Sequence, residues 1–125
     1  MRFARWLYLV AGVYGVLIVL PDYFLEEKLG RDYPPPINHP EFFYGFVGTA
    51  LVWQIVYLMV GIDPRRYRPM MIPTALAKLS FGIACVVLYA QDRLSLSFLL
   101  IVTPDLIFGV LFIIAFFKTA PTPRT

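Results

Sequence analysis

Leu96–Phe117 reads LSFLLIVTPDLIFGVLFIIAFF, an apolar run broken only by Thr103, Pro104, Asp105 and two small residues, Ser97 and Gly109. A helix that crosses a bilayer needs roughly 17–25 predominantly apolar residues, and this run is of that length. Working outward, three more stretches share its character: Trp6–Leu20, Phe42–Ile62 and Pro73–Tyr89. With their flanks they predict spans over about 6–24, 41–62, 73–91 and 95–117. The expected fold is all-α, an integral membrane four-helix bundle in a single domain covering 1–125, with both termini cytoplasmic.

The composition agrees. Of 125 residues, 59% are hydrophobic and 15% charged, and mean hydropathy is +0.70. Soluble domains carry about 25% charged residues. The longest connection between spans is about 21–41, too short for a separate soluble domain. Arg2 and Arg5 ahead of an apolar run resemble the start of a secretory signal. The run ends at Pro21, Asp22, Tyr23 and Phe24, where a cleavage site needs small residues, so it reads as a retained anchor.

The basic residues carry the topology. Arg2 and Arg5 precede span one; Arg65, Arg66 and Arg68 lie between spans two and three; Lys118 and Arg124 follow span four. All fall on one side of a four-span chain, and the other side receives Lys28, Arg31 and Arg93. Lys and Arg concentrate in short cytoplasmic loops, so the first group marks the cytoplasmic face of an expected bacterial inner membrane. The net charge of +3 is accounted for in this way. A nucleic-acid partner needs a basic face or groove, and the sequence has none.

Between the spans, Tyr33-Pro34-Pro35-Pro36-Ile37-Asn38-His39-Pro40 is barred from helix through its proline run and expected to be extended. Asn38 or His39 is expected to cap span two, with Pro40 at its first position and Glu41 favouring the positive helix end. His39 and Glu41 also make the mouth of span two a candidate metal, pigment or acid–base site. Close helix approach is expected at small-xxx-small pairs: Ala11/Gly15, Gly45/Thr49 and Ser80/Ala84. Tyr8, Tyr23, Tyr44, Tyr57, Tyr67, Tyr89, Trp6 and Trp53 are expected to form interfacial aromatic belts.

Three polar residues stand out inside the spans: Gln54, Lys78 and Asp105. An intramembrane ionisable residue costs roughly 2.5–3.5 kcal/mol on insertion scales and normally faces a bundle interior or cavity. At about 1.5 Å per residue, Gln54 and Lys78 lie about 20 Å below the external side and Asp105 about 14 Å below it. A buried Lys78–Asp105 pair, with Gln54 as a further hydrogen-bond partner, is expected as the ligand-binding or buried polar site. Three other readings stand beside it: Lys78 snorkelling to the headgroups, a protonated Asp105, and a pair that only sets helix register. Pro104 deprives the carbonyl of Leu100 of its usual donor beside Asp105.

Several chemistries are excluded. One His and one Cys supply no structural zinc set, no bis-histidine haem and no disulfide within the chain. No glycine-rich phosphate loop or GxSxG nucleophile motif is present. No cofactor and no metal are expected. The expected partners are membrane lipids, with a lipophilic small molecule or other membrane subunits.

The segment His39-Pro40-Glu41-Phe42-Phe43-Tyr44-Gly45-Phe46-Val47-Gly48 with Trp53-Gln54 resembles a signature of small bacterial four-transmembrane-helix proteins. Lys78-Leu79-Ser80-Phe81-Gly82 and Asp105–Phe112 resemble its later spans, so the likeness covers roughly residues 35–118. In layout the chain is similar to DoxX-like and EXPERA-type membrane proteins. The EXPERA resemblance implies sterol isomerases or binders of lipophilic amines, with intramembrane acids in a cavity, and puts Asp105 in such a role. The second acid that this implies has no counterpart here. Three functions are therefore open: a non-catalytic binder of a lipophile or of membrane partners, a membrane enzyme on an isoprenoid, quinone or sterol-like substrate, and an accessory subunit of a respiratory or photosynthetic complex.

Overall fold

The computed structural model describes residues 2–120, and Arg124, one of the residues used for topology, lies outside them. Helix α1 covers Arg2–Val19 and continues into a 3-10 turn over Leu20–Phe24. A short α2, Glu26–Asp32, follows, then α3, Pro40–Ile62. A 3-10 turn over Arg68–Met70 leads into α4, Met71–Ala90, and α5 covers Leu96–Lys118. Counting the 3-10 turns, α1, α3, α4 and α5 each offer 23 residues that are long and apolar enough to cross a membrane. At 1.5 Å per residue that is about 34 Å, just over a hydrocarbon core of ~30 Å. The all-α four-span architecture is the one expected, and it marks a multi-pass membrane protein.

Helices α1, α3 and α4 start earlier than apolarity alone indicates. Proline is tolerated in a first helical turn, where its missing N–H has no intrahelical partner to lose. Pro69 therefore sits at the start of the 3-10 turn, and Pro73 falls in the first turn of α4 instead of opening the span. Arg2 and Arg5 are likewise inside α1, and the Arg5 guanidinium reaches 3.4 Å to the carbonyl of Ile62, the last residue of α3.

Helix α2 is a finding of the structure. Its charges suit it: Glu26 and Glu27 in the first turn and Arg31 in the last complement the helix dipole, and Lys28 pairs with Asp32 one turn on. The Tyr44 hydroxyl donates to Glu26 at 3.1 Å, and the Tyr33 ring meets Phe98 edge-on at 5.2 Å, holding α2 across its end of the bundle. The segment between α2 and α3 is free of helix as expected, but it is not extended throughout: the chain bends at residues 33–35 and again at Asn38.

Helix α1 packs along α3 and α4 along α5, with α1 also meeting α5, while α3 and α4 touch sparsely. The α1–α3 seam closes through glycine: a Cβ on Gly12 would stand 2.7 Å from Leu58, and one on Gly61 2.9 Å from the backbone nitrogen of Leu9. On the α4–α5 seam, Gly82 faces Leu106 and Gly109 faces Leu79 in the same way. Of the expected small-residue pairs, Ala11 and Gly15 are buried as a seam requires. Gly45/Thr49 and Ser80/Ala84 are exposed and form no seam, and Gly45 has open space where a Cβ would go. Spacing cannot separate these pairs, because a helix that is apolar all round gives no sign of which face meets protein.

The core gathers Ala4, Tyr8, Tyr57, Met71, Ala75, Phe112 and Ala115 near the end that carries the basic loops. Tyr8 stacks on Phe112 with ring centroids 4.1 Å apart, and its hydroxyl donates to Thr74 at 2.7 Å, which in turn donates to the Met71 carbonyl at 3.0 Å. Tyr8 and Tyr57 thus depart from the expected aromatic belts. Because the Tyr8 hydroxyl finds a partner inside the protein, the ring has no need of the headgroup region. Arg68 closes the same end: its Nε donates to the Phe116 carbonyl at 3.0 Å and its guanidinium lies 3.8 Å from the Phe116 ring centre.

Candidate functional site

Above this core the sparse contact between α3 and α4 leaves a cleft of about 730 Å³. Tyr14 of α1, Phe46 and Trp53 of α3, Phe81 of α4, and the pair Lys78 and Asp105 are among the residues that line it. Its volume falls within the 300–1,000 Å³ typical of small-molecule pockets, and its mix of aromatic walls with a few polar groups is typical too. Thr49, Leu76, Ser80 and Ala84 line it and are exposed, so the cleft opens sideways between α3 and α4. The Phe46 and Phe81 rings approach to 5.2 Å across that opening.

The polar groups sit near the middles of their spans. Lys78 is one residue from Leu79, the middle of Arg68–Ala90, and Asp105 is two from Ile107, the middle of Leu96–Lys118. Gln54 is three from Leu51, the middle of Pro40–Ile62. Because α4 begins before Pro73, Lys78 lies deeper than apolarity alone indicates, and its ammonium turns inward. Nζ donates to Asp105 Oδ1 at 2.7 Å, with side-chain exposures of 7% and 25%. Nζ also lies 5.3 Å from the centre of the Tyr57 ring and 5.7 Å from that of Phe108. Aromatic faces attract a cation, so the two rings and the carboxylate together hold the Lys78 head inside the bundle. The snorkelling reading is thereby set aside. Gly109 makes room for the lysine stem, since a Cβ there would stand 3.3 Å from Lys78 Cβ.

Gln54 does not join the pair. Its Nε2 donates to the Ala50 carbonyl at 2.9 Å, one turn back on its own helix, and its Oε1 is buried without a hydrogen-bond partner among the described residues. The side chain fills the space that Gly15 leaves on α1, so close that a Cβ on Gly15 would collide with it. Its role is therefore in the α1–α3 seam and on the wall of the cleft, and the expected third partner of the ion pair is corrected accordingly.

His39 and Glu41 lie apart from the cleft. His39 Nδ1 is 3.1 Å from Glu41 Oε1, both side chains are 63% exposed, and the His39 ring stacks on Phe42. His39 is the residue before α3, but its side chain makes no capping bond; the cap is its carbonyl, which accepts from Phe42 and Phe43. Among the described residues, no three His, Cys, Asp or Glu side chains come together in a way that holds a metal ion.

The sequence alone does not mark Tyr14, Trp53, Tyr57 and Phe108 as surroundings of the polar pair. Part of the signal was there. Tyr57 is one turn from Gln54, and Thr74 is one turn from Lys78, so both share faces with polar residues. Comparison with known proteins found no matching family model, no matching curated protein and no matching solved structure.

Proposed function

We propose that this chain is a multi-pass protein of the bacterial inner membrane, with both termini cytoplasmic, which holds a lipophilic molecule in the cleft between α3 and α4. The observation that carries the reading is the cleft itself: about 730 Å³, walled by aromatic rings, open sideways and floored by an ion pair near mid-membrane. An intramembrane charge pair with one partner a quarter exposed to such a space is unusual unless the space is used. A non-catalytic role is favoured over an isomerase or oxidoreductase because Lys78 already engages Asp105, the only carboxylate among the described residues that line the cleft. The topology rests on the basic residues at the end where Arg5 and Arg68 close α3 and α5.

The test is mass spectrometry of proteins and small molecules retained by the chain when it is purified gently from its native membrane. A lipophile retained in stoichiometric amount, and lost when Ala84→Trp fills the cleft, supports the reading. A stoichiometric protein subunit with no small molecule favours an accessory subunit instead. Turnover of the retained lipophile, abolished in Asp105→Asn, restores the enzyme.

A further inference from the structure

Lys78 and Asp105 also bear on which headgroup the cleft takes. We infer that the cleft selects a neutral lipophile carrying a hydrogen-bond donor, an alcohol above all, and that Lys78 sets this selectivity by occupying the place of a cationic headgroup. The inference rests on the cleft being a lipophile site and goes further in naming the chemistry of the ligand.

The ammonium of Lys78 and the carboxylate of Asp105 are 2.7 Å apart, so together they present no net charge to the cleft. A cationic ligand would meet the lysine ammonium across the carboxylate it must reach. An anionic one would meet the carboxylate. Either leaves an uncompensated charge near the middle of the hydrocarbon, the costliest depth for one. A neutral headgroup avoids both.

Hydrogen bonding then separates donors from acceptors. Asp105 accepts from Lys78 through Oδ1 only, and among the described residues its second oxygen has no side-chain donor. Asp105 lines the cleft and its side chain is 25% exposed, so an oxygen acceptor is offered to whatever lies there. The Lys78 ammonium, by contrast, is hemmed in by Asp105 and by the rings of Tyr57 and Phe108, and only 7% of its side chain is exposed. A ligand O–H therefore finds an acceptor more readily than a ligand carbonyl finds a donor. The remaining length of the ligand lies against Tyr14, Phe46, Trp53 and Phe81.

The experiment uses the full chain in nanodiscs of phosphatidylcholine, whose zwitterionic headgroups do not concentrate an amine. A diazirine-tagged dodecyl alcohol and the matching dodecyl amine, which is charged at neutral pH, are photolysed separately, and labelling of cleft residues is read by mass spectrometry. The wild type is expected to prefer the alcohol by roughly tenfold or more, since repulsion built into a site is what excludes the competitor. Lys78→Gln frees the carboxylate and is expected to reverse the preference. Asp105→Asn leaves an unpaired lysine and is expected to reject the amine further. Equal or stronger labelling of the wild type by the amine overturns the inference and leaves the lipophile reading standing. Absence of cleft labelling by either probe overturns both. The wild-type ratio decides the matter even where a variant fails to fold.

Discussion

The side chain of Gln54 lies against Gly15, filling the place that a Cβ on α1 would occupy. This contact joins the α1–α3 seam to the wall of the cleft, because Gln54 serves both. Gly15→Ala should force the helices apart or expel the glutamine, at a cost of about 1–3 kcal/mol, the usual range for overpacking. Gly45→Ala, on the same pair of helices but facing open space, should lose nothing. Unfolding of the two variants with rising SDS fraction in mixed micelles checks the contrast, and equal stabilities refute the assigned seam.

The ion pair should behave as a unit. Lys78→Met strands a carboxylate near mid-membrane and is expected to destabilise by about 3 kcal/mol. The double variant Lys78→Met with Asp105→Leu removes both charges and should be the more stable of the two. A double-mutant cycle measured in the same micelles gives the coupling, and additivity within experimental error rules out the pairing.

Tyr8→Phe keeps the ring on Phe112 but removes the donor to Thr74, which still donates to Met71. The expected loss is about 0.5–1.5 kcal/mol, one hydrogen bond's net contribution. Phe112→Ala, which empties the centre of the core, should cost about 3–5 kcal/mol. Comparing the two by the same unfolding assay separates the hydroxyl from the stack.

Arg68 acts at the closed end through geometry as well as charge. Its guanidinium both donates to the Phe116 carbonyl and lies over the Phe116 ring. Arg68→Ala is expected to lose about 1–2 kcal/mol. Arg68→Lys should recover only part of this, because an ammonium cannot present a plane to the ring while donating sideways. Full recovery by lysine would show that charge alone matters there.

The orientation is tested by labelling. With Cys85→Ser as background, a cysteine placed at Arg66 should react with a membrane-impermeant maleimide only after the membrane is opened, and one at Arg31 should react in intact cells. The reverse pattern inverts the proposed topology.

Much of this architecture follows from the sequence alone. Apolar runs of bilayer length determine the four spans, prolines and charges place the connections, and the cost of intramembrane charge singles out Lys78 and Asp105 for scrutiny. Which faces meet was not legible. In a bilayer the lipid side of a helix is as apolar as the protein side, so the pattern that marks the buried face of a soluble helix is absent. Only the tertiary structure decided that Gly12, Gly61, Gly82 and Gly109 are contact points and Gly45 is not, or that Tyr8 and Tyr57 belong to the core. It alone turned Gln54 away from the ion pair and onto Gly15, and it alone opened α3 from α4. The physical reason is common to all of these. Helices in a membrane are selected by hydropathy one at a time, but they are arranged by the close fit of particular side chains, which exists only once the helices are together.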